Sequence, residues 1–237
     1  MIQGILGGLA RWPVKSMAGE RLRAARLDGR GLGGDRTHAL LDAGDGRPLT
    51  AARAPRLLAW WAAYPDAPDD ALDPAAPPPS VRAPDGTAWG WDDPGLAAAV
   101  AADLGVPVRP RRDPAGQQDL ERSVLVTTEA SRRALEAALG RPVDLRRFRT
   151  NLHLELDAPA FAEERWQGGR LQVGEVTLHL LHPCARCVIP TRDPDGGRWP
   201  ALLRHLHRAR AGLFGINARV LVAGRVAVGD HATVAPP

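Results

Sequence analysis

A mainly β, barrel-like architecture with a few helices, mixed α+β in content, is what the sequence predicts. Three observations carry that expectation: alternating apolar runs dominate, helical runs are few, and no βαβ rhythm is present. The 237 residues suffice for one large domain or two modest ones with an ample core.

Taken in order, residues 2–10 alternate weakly and lead into Trp12-Pro13-Val14-Lys15-Ser16, a strand ending in a turn. Residues 21–28 read as a half-buried strand. The cluster Gly31-Leu32-Gly33-Gly34-Asp35-Arg36 opens onto a strand at 37–42, so it is a tight turn and not a dinucleotide fingerprint. Residues 47–58 read as a further turn and strand. The Pro-, Ala- and Asp-rich stretch 65–84 suggests an exposed, loosely ordered insertion. Trp89 and Trp91 bracket a short strand or turn, and residues 96–104 are helical in composition, stopping at Gly105. Residues 123–128 form a buried strand, and Thr128 precedes a helix over 130–139 that ends at Gly140. Further strands are expected at 152–156, at 171–181 with a bend at Gly174, at 215–222 and at 224–234. A short helical turn lies at 161–166 and a helix with a basic outer face at 201–210.

Composition narrows the function classes. The net charge is +4, and Lys15 is the sole lysine in a chain that otherwise uses Arg for positive charge. No dense basic tract with interleaved aromatics is present, so nucleic acid is not the expected partner. No run of eighteen apolar residues and no signal-peptide layout is found, so the expected address is the cytoplasm, without membrane association. The two cysteines agree with a reducing compartment.

Those cysteines, Cys184 and Cys187, lie just after the alternating Val176, Leu178 and Leu180, with Arg186 between them and Asp193-Pro194-Asp195-Gly196-Gly197 following. Zinc held with His179 and His182 is disfavoured, because the two histidines would face opposite ways and no distant ligand pair is evident. A thioredoxin-like pair needs its CxxC to open a helix, whereas residues 188–191 read as extended. Buried structural thiols remain an alternative. Arg36, Arg149 and Arg186, with Lys15-Ser16 and Thr127-Thr128, sit at strand ends and together point to an anion.

The chain resembles the MOSC-domain family, in the branch that carries a preceding MOSC N-terminal β-barrel domain. The resemblance rests on an ordered set: Trp12-Pro13-Val14-Lys15-Ser16; Gly34-Asp35-Arg36; Leu49-Thr50 to Arg53 with Pro55-Arg56-Leu57; Arg147-Phe148-Arg149-Thr150-Asn151; Phe161-Ala162-Glu163-Glu164 with Trp166; Pro183-Cys184-Ala185-Arg186-Cys187; Asp193-Pro194-Asp195-Gly196; and Val228-Gly229-Asp230. Family members often carry Pro where Thr150 stands, and 65–84 has no counterpart. The resemblance implies an N-terminal β-barrel-like domain over 1–110 and a MOSC domain over 111–237.

It further implies a molybdenum cofactor, a pterin dithiolene carrying molybdenum, with the Cys187 thiolate as metal ligand and catalytic residue and Cys184 as a companion. Lys15, Ser16, Arg36, Arg149 and Asn151 fall on positions that hold the pterin and its phosphate, and Thr127, Thr128 and Arg186 join that expected set. Pyridoxal phosphate binding is a further association of the family at large. The implied activity is reduction of N-hydroxylated small molecules. Two cysteines cannot hold a four-cysteine iron–sulfur cluster, so electrons would come from a separate ferredoxin or cytochrome b5-like donor. A sulfur carrier using a cysteine persulfide is the alternative, and a binding module with a degenerate pocket is a third reading.

Overall fold

The computed structural model describes residues 1–64, 77–113, 122–193 and 195–237. In chain order the strands begin with β1 (Ile2–Arg11), β2 (Glu20–Leu22), β3 (Ala24–Asp28), β4 (Gly31–Leu32), β5 (His38–Asp42), β6 (Trp61–Ala63), β7 (Ser80–Arg82) and β8 (Ala88–Gly90). Helix α1 (Pro94–Leu104) and β9 (Val108–Arg112) follow, then β10 (Val124–Thr128), α2 (Glu129–Leu139), β11 (Leu152–Leu156), β12 (Arg170–Val173) and β13 (Val176–Ala185). The chain ends with α3 (Pro200–Arg210), β14 (Leu213–Val222), β15 (Gly224–Ala227) and β16 (His231–Ala235).

Seven strands close a barrel in the order β11-β10-β14-β13-β12-β16-β1, with β1 pairing back onto β11 and β2 added beside β1. Closure leaves few free strand edges. The alternation legible in the sequence is what fills it: Val124, Val126, Leu152, Leu154, Leu171, Val173, Leu178, Leu180, Ile216 and Val234 all point inward and are buried. Burying each such side chain stabilises the fold by about 1.5–3 kcal/mol. Because β1 is a barrel stave, the sheet joins the two ends of the sequence across residue 110. A second core gathers Val14, Met17, Leu57, Trp60, Val81, Trp91, Leu96 and Val100 around β6, β7, β8 and α1. A third lies under α3, where Phe148 and Phe214 stack with ring centroids 4.1 Å apart.

Several expectations are corrected. The stretch 171–181 is a hairpin of β12 and β13, not one bent strand; Gly174, at φ 51°, supplies the left-handed turn residue. The stretches 21–28 and 224–234 each divide, because β2 and β16 stay with the barrel while β3 and β15 pair with each other. The two breaks lie side by side, the Val228 amide donating to the Arg23 carbonyl. One βαβ unit does exist: β10 and β11 run parallel, joined through α2. Residues 55–59 form a 3₁₀ helix rather than a strand, with Pro at its start and Leu57 buried. Of the supposed loose insertion, 65–76 lies outside the described residues, while Ser80–Arg82 is the central strand of a three-stranded sheet with Val81 fully buried. Strand β9, whose VRPRR sequence carries little apolar alternation, was not foreseen. No helix among the described residues is long and apolar enough to cross a membrane.

Candidate functional site

Strand β13 delivers Cys184 near its end and releases the chain so that Cys187 precedes a 3₁₀ turn at Ile189–Thr191. That turn corrects the extended reading of 188–191, yet three residues make no helix start of the thioredoxin kind. Both thiols are free; Cys187 is exposed and Cys184 half-buried. They line a cleft of about 320 Å³ together with Lys15, Ser16, Arg36, Arg149 and Arg186. Seven of the ten expected site residues are thus brought together from four separate stretches.

The cleft's charge is one-sided. Lys15, Arg36, Arg147, Arg149 and Arg186 line it, and no carboxylate does among the described residues. The arginines are held in large part by backbone carbonyls. Arg186 donates through Nε and Nη2 to the Phe214 carbonyl, at 2.9 and 2.5 Å, and through Nη1 to Phe148 at 3.3 Å. Arg149 donates to the carbonyls of Met17 (2.6 Å) and Val14 (3.4 Å) and stacks 4.5 Å over the Trp12 ring. Burial pushes the Arg186 pKa below the ordinary arginine value and Arg36 adds to that, while the two nearby cysteines act in the opposite direction. Arg147 braces the cysteine loop, binding the Pro190 and Arg192 carbonyls and the Asp193 carboxylate.

Backbone strain marks the same place. Six non-glycine residues among those described have positive φ, and three of them, Ser16 (72°), Arg36 (52°) and Arg149 (56°), line this one cleft. Each such residue costs on the order of 1–3 kcal/mol and persists only where its surroundings over-determine it. Asp35, fully buried, helps to do so by accepting from the Trp12 amide at 2.7 Å and pairing with Arg36. Arg36 also donates to Asn151 Oδ1 at 3.3 Å and to the Arg149 carbonyl at 3.2 Å. Ser16 Oγ accepts from the Ala51 amide at 3.0 Å.

Three expected residues lie elsewhere. Asn151 is buried behind the cleft; its Oδ1 accepts from Leu125 N–H and Arg36, and its Nδ2 donates to the Ala10 carbonyl. It positions Arg36 and does not line the cavity. Thr127 is fully buried, with its hydroxyl 2.9 Å from His153 Nδ1. Thr128 caps α2, accepting from the Ser131 amide, and bonds the buried carboxyl of Glu163. Neither threonine reaches the cleft. Thr50, Ser123 and Asn217 do, and sequence reasoning passed over them as site residues. Thr50 stands in the Leu49-Thr50 to Arg53 motif, and Asn217 is a polar residue within an apolar strand; Ser123 left no signal.

The arrangement suits an anionic ligand that brings a soft metal with it. Among the described residues no group of three His, Cys, Asp or Glu side chains could hold an ion alone, so the zinc reading has no ligand set there. A phosphate-bearing pterin that supplies its own sulfur ligands fits the donor set present: cations and hydroxyls on one side, an exposed thiol on the other.

Comparison with known proteins identifies the family. The model of the MOSC N-terminal beta barrel domain matches residues 3–84, and that of the MOSC domain matches 104–233, more than half the chain. Mitochondrial amidoxime-reducing component 1 of Danio rerio is 32% identical over 91 residues, covering 38% of this chain and 27% of that protein. The Homo sapiens protein of the same name is 34% identical over 73 residues, covering 31% and 21%. The matched stretch therefore spans about a quarter of these relatives. The crystal structure of the YuaD protein from Bacillus subtilis superposes over all of both chains with a TM-score of 0.52 at 13% identity, a likeness of fold. With its barrel, its N-terminal β domain and its cysteine cleft in the matched segments, this chain belongs to the MOSC domain family.

Proposed function

We propose that this protein is a molybdenum-cofactor-binding oxidoreductase that reduces N-hydroxylated compounds such as amidoximes and hydroxylamines. The observation that carries the reading is the exposed Cys187 thiol in a cleft lined by five cations and, among the described residues, by no carboxylate. The relatives' names, as amidoxime-reducing components, support the substrate class.

In this reading Cys187 contributes the thiolate ligand, and Lys15, Ser16, Arg36 and Arg149 hold the pterin phosphate. Asn151 keeps Arg36 aimed, and Arg186 ties the cysteine loop to the Phe214 carbonyl so that the ligand sulfur stays in place. The bound cofactor supplies a two-electron centre able to accept oxygen. For a hydroxylamine the balance is R–NHOH + 2 e⁻ + 2 H⁺ → R–NH₂ + H₂O, the N–O bond breaking and the oxygen leaving as water. The electrons come from a separate ferredoxin or cytochrome b5-like protein.

The test is molybdenum and pterin content of protein made in a molybdate-fed, cofactor-competent host, with benzamidoxime reduction driven by reduced methyl viologen. Near-stoichiometric molybdenum that survives Cys184→Ala and falls at least tenfold in Cys187→Ala is the expected result. The reverse pattern moves the ligand to Cys184, and wild type without molybdenum defeats the proposal. The same exposed thiol beside Arg186 also suits a persulfide carrier; cyanide-releasable sulfur without metal would favour that reading.

A further inference from the structure

A second cavity, of about 370 Å³, lies behind the cysteine cleft, between β1, β2, the first turn of α2 and the Asp144–Arg146 turn. Its wall is Trp12, Thr150 and Asn151, and its apolar lining includes Leu9, Leu22 and Leu145. We propose that it is a separate ligand site for a small amphipathic monoanion, an aromatic or short aliphatic carboxylate, with its apolar body against Trp12 and its charge at Arg21.

Two independent observations support this. The first is Gly8, in the middle of β1 and in the cavity lining. A Cβ there would meet only the Cβ of His153, at an ordinary 3.4 Å, and Gly8 does not take a positive φ. Neither backbone conformation nor close approach of another chain requires glycine. A glycine inside a strand still costs about 0.5–1 kcal/mol relative to alanine. What it does here is keep the cavity open.

The second is the charge pattern. Three carboxylates and three arginines line the cavity, and all but one are matched within the protein. Glu20 pairs with Arg11, Asp144 with Arg146, and Glu129 with Arg132, Arg133 and His153. Both ring nitrogens of His153 are engaged, Nδ1 by Thr127 and Nε2 by Glu129. Of the three arginines, Arg21 alone makes no ion pair among the described residues, and it is exposed at the mouth. A cavity whose other charges are matched, with one unmatched guanidinium at its mouth, favours an anion with an apolar body.

The wall gives the site a route to the cleft. Trp12 carries Arg149 on its ring, and Asn151 holds Arg36; both arginines line the cysteine cleft. A ligand against the accessible edge of Trp12 would touch the support of Arg149, with the buried Asn151, the support of Arg36, next to it in the wall.

Phenylacetate, titrated into the full chain and followed by backbone amide NMR with tryptophan fluorescence, tests the site. Saturable shifts confined to Trp12, His153 and their neighbours are expected, in the millimolar range (about 1 mM) that a ligand of this size allows. Binding should weaken at least about tenfold with neutral phenylacetamide, with Arg21→Gln and with Gly8→Val, whose side chain occupies the cavity. Gly8→Val should melt no lower than wild type; if it fails to fold, Arg21→Gln still decides. Non-saturating shifts, or equal binding of acid and amide, would overturn the proposal. Either outcome leaves the molybdenum measurement untouched, because Gly8 and Arg21 are outside the cysteine cleft.

Discussion

The two cavities are alike in size and built on opposite electrostatic plans. The cysteine cleft fixes Arg149 and Arg186 on backbone carbonyls, which orient a guanidinium without cancelling its charge, while Arg36 and Arg147 also meet Asp35 and Asp193. The cavity behind Trp12 fixes Arg132 and Arg146 on carboxylates, which do cancel it. The same side chain is therefore a binding group in one place and a structural tie in the other. What separates the two is the acceptor, and no inspection of arginine positions in the sequence supplies it.

The largest effect expected from that difference is on stability. Arg186→Met leaves the Phe214 and Phe148 carbonyls without their donor in a partly buried setting, and should cost about 3 kcal/mol. Arg132→Met removes ion pairs to Glu129 and Glu136 that lie on the surface of α2, and should cost about 0.5 kcal/mol. Urea unfolding measures both. Equal costs would show that carbonyl-held and carboxylate-held arginines do not differ in kind here.

Anion binding sharpens the contrast at the next level. Inorganic phosphate at ten times its dissociation constant should stabilise the wild type by about 1.4 kcal/mol, a rise of about 3 °C in Tm. Lys15→Met should abolish most of that rise, and Arg146→Met should leave it intact. A cleft that gains nothing from phosphate would not be the anion site described.

The third contrast is in pH. His153 belongs to the Trp12 cavity, and burial, the dominant cause, lowers its pKa below 6.5 despite the opposing bond to Glu129. Glu129 is itself held far below the carboxylate range, mainly by its bond to Arg132, and stays ionised. A histidine with a lowered folded pKa contributes stability that is fully present above about pH 6.5 and lost as pH falls through the folded value. The slope is at most about 1.4 kcal/mol per pH unit. His153→Gln should flatten part of the acid limb. It should not flatten all of it, because His38, pushed down to about 3 by burial, acts over the same window. An NMR titration placing His153 at or above 6.5 would contradict this.

How much of this was legible in the sequence differs by level. Barrel strands were, because Val176, Leu178 and Leu180, all buried, alternate with the less buried Thr177 and His179. Breaks within strands were not: nothing local at Arg23 or Val228 says that the chain changes sheets, since the partners are two hundred residues apart. The gathering of Lys15, Ser16, Arg36 and Arg149 in one cleft was legible through motif order. Thr127 and Thr128 misled because a hydroxyl at a strand end serves a helix cap or a histidine as readily as a phosphate. The strain at Ser16, Arg36 and Arg149 was invisible, because none of them is a residue that announces a left-handed turn.

That strain gives the smallest prediction and the one that separates site from scaffold. Ala211, at φ 51°, ends α3 and carries no ligand role, so Ala211→Gly should stabilise by about 1 kcal/mol. Ser16 has a similar backbone, but its hydroxyl accepts from the Ala51 amide and lines the cleft. In Ser16→Gly the relief of strain is offset by loss of a hydrogen bond worth about 1 kcal/mol, so Tm should barely move while the phosphate response weakens. A Ser16→Gly protein as stabilised as Ala211→Gly, with its phosphate response intact, would mean that Ser16 is an ordinary turn residue. A left-handed serine kept at no net gain in stability, and needed for the anion, is what a binding site predicts.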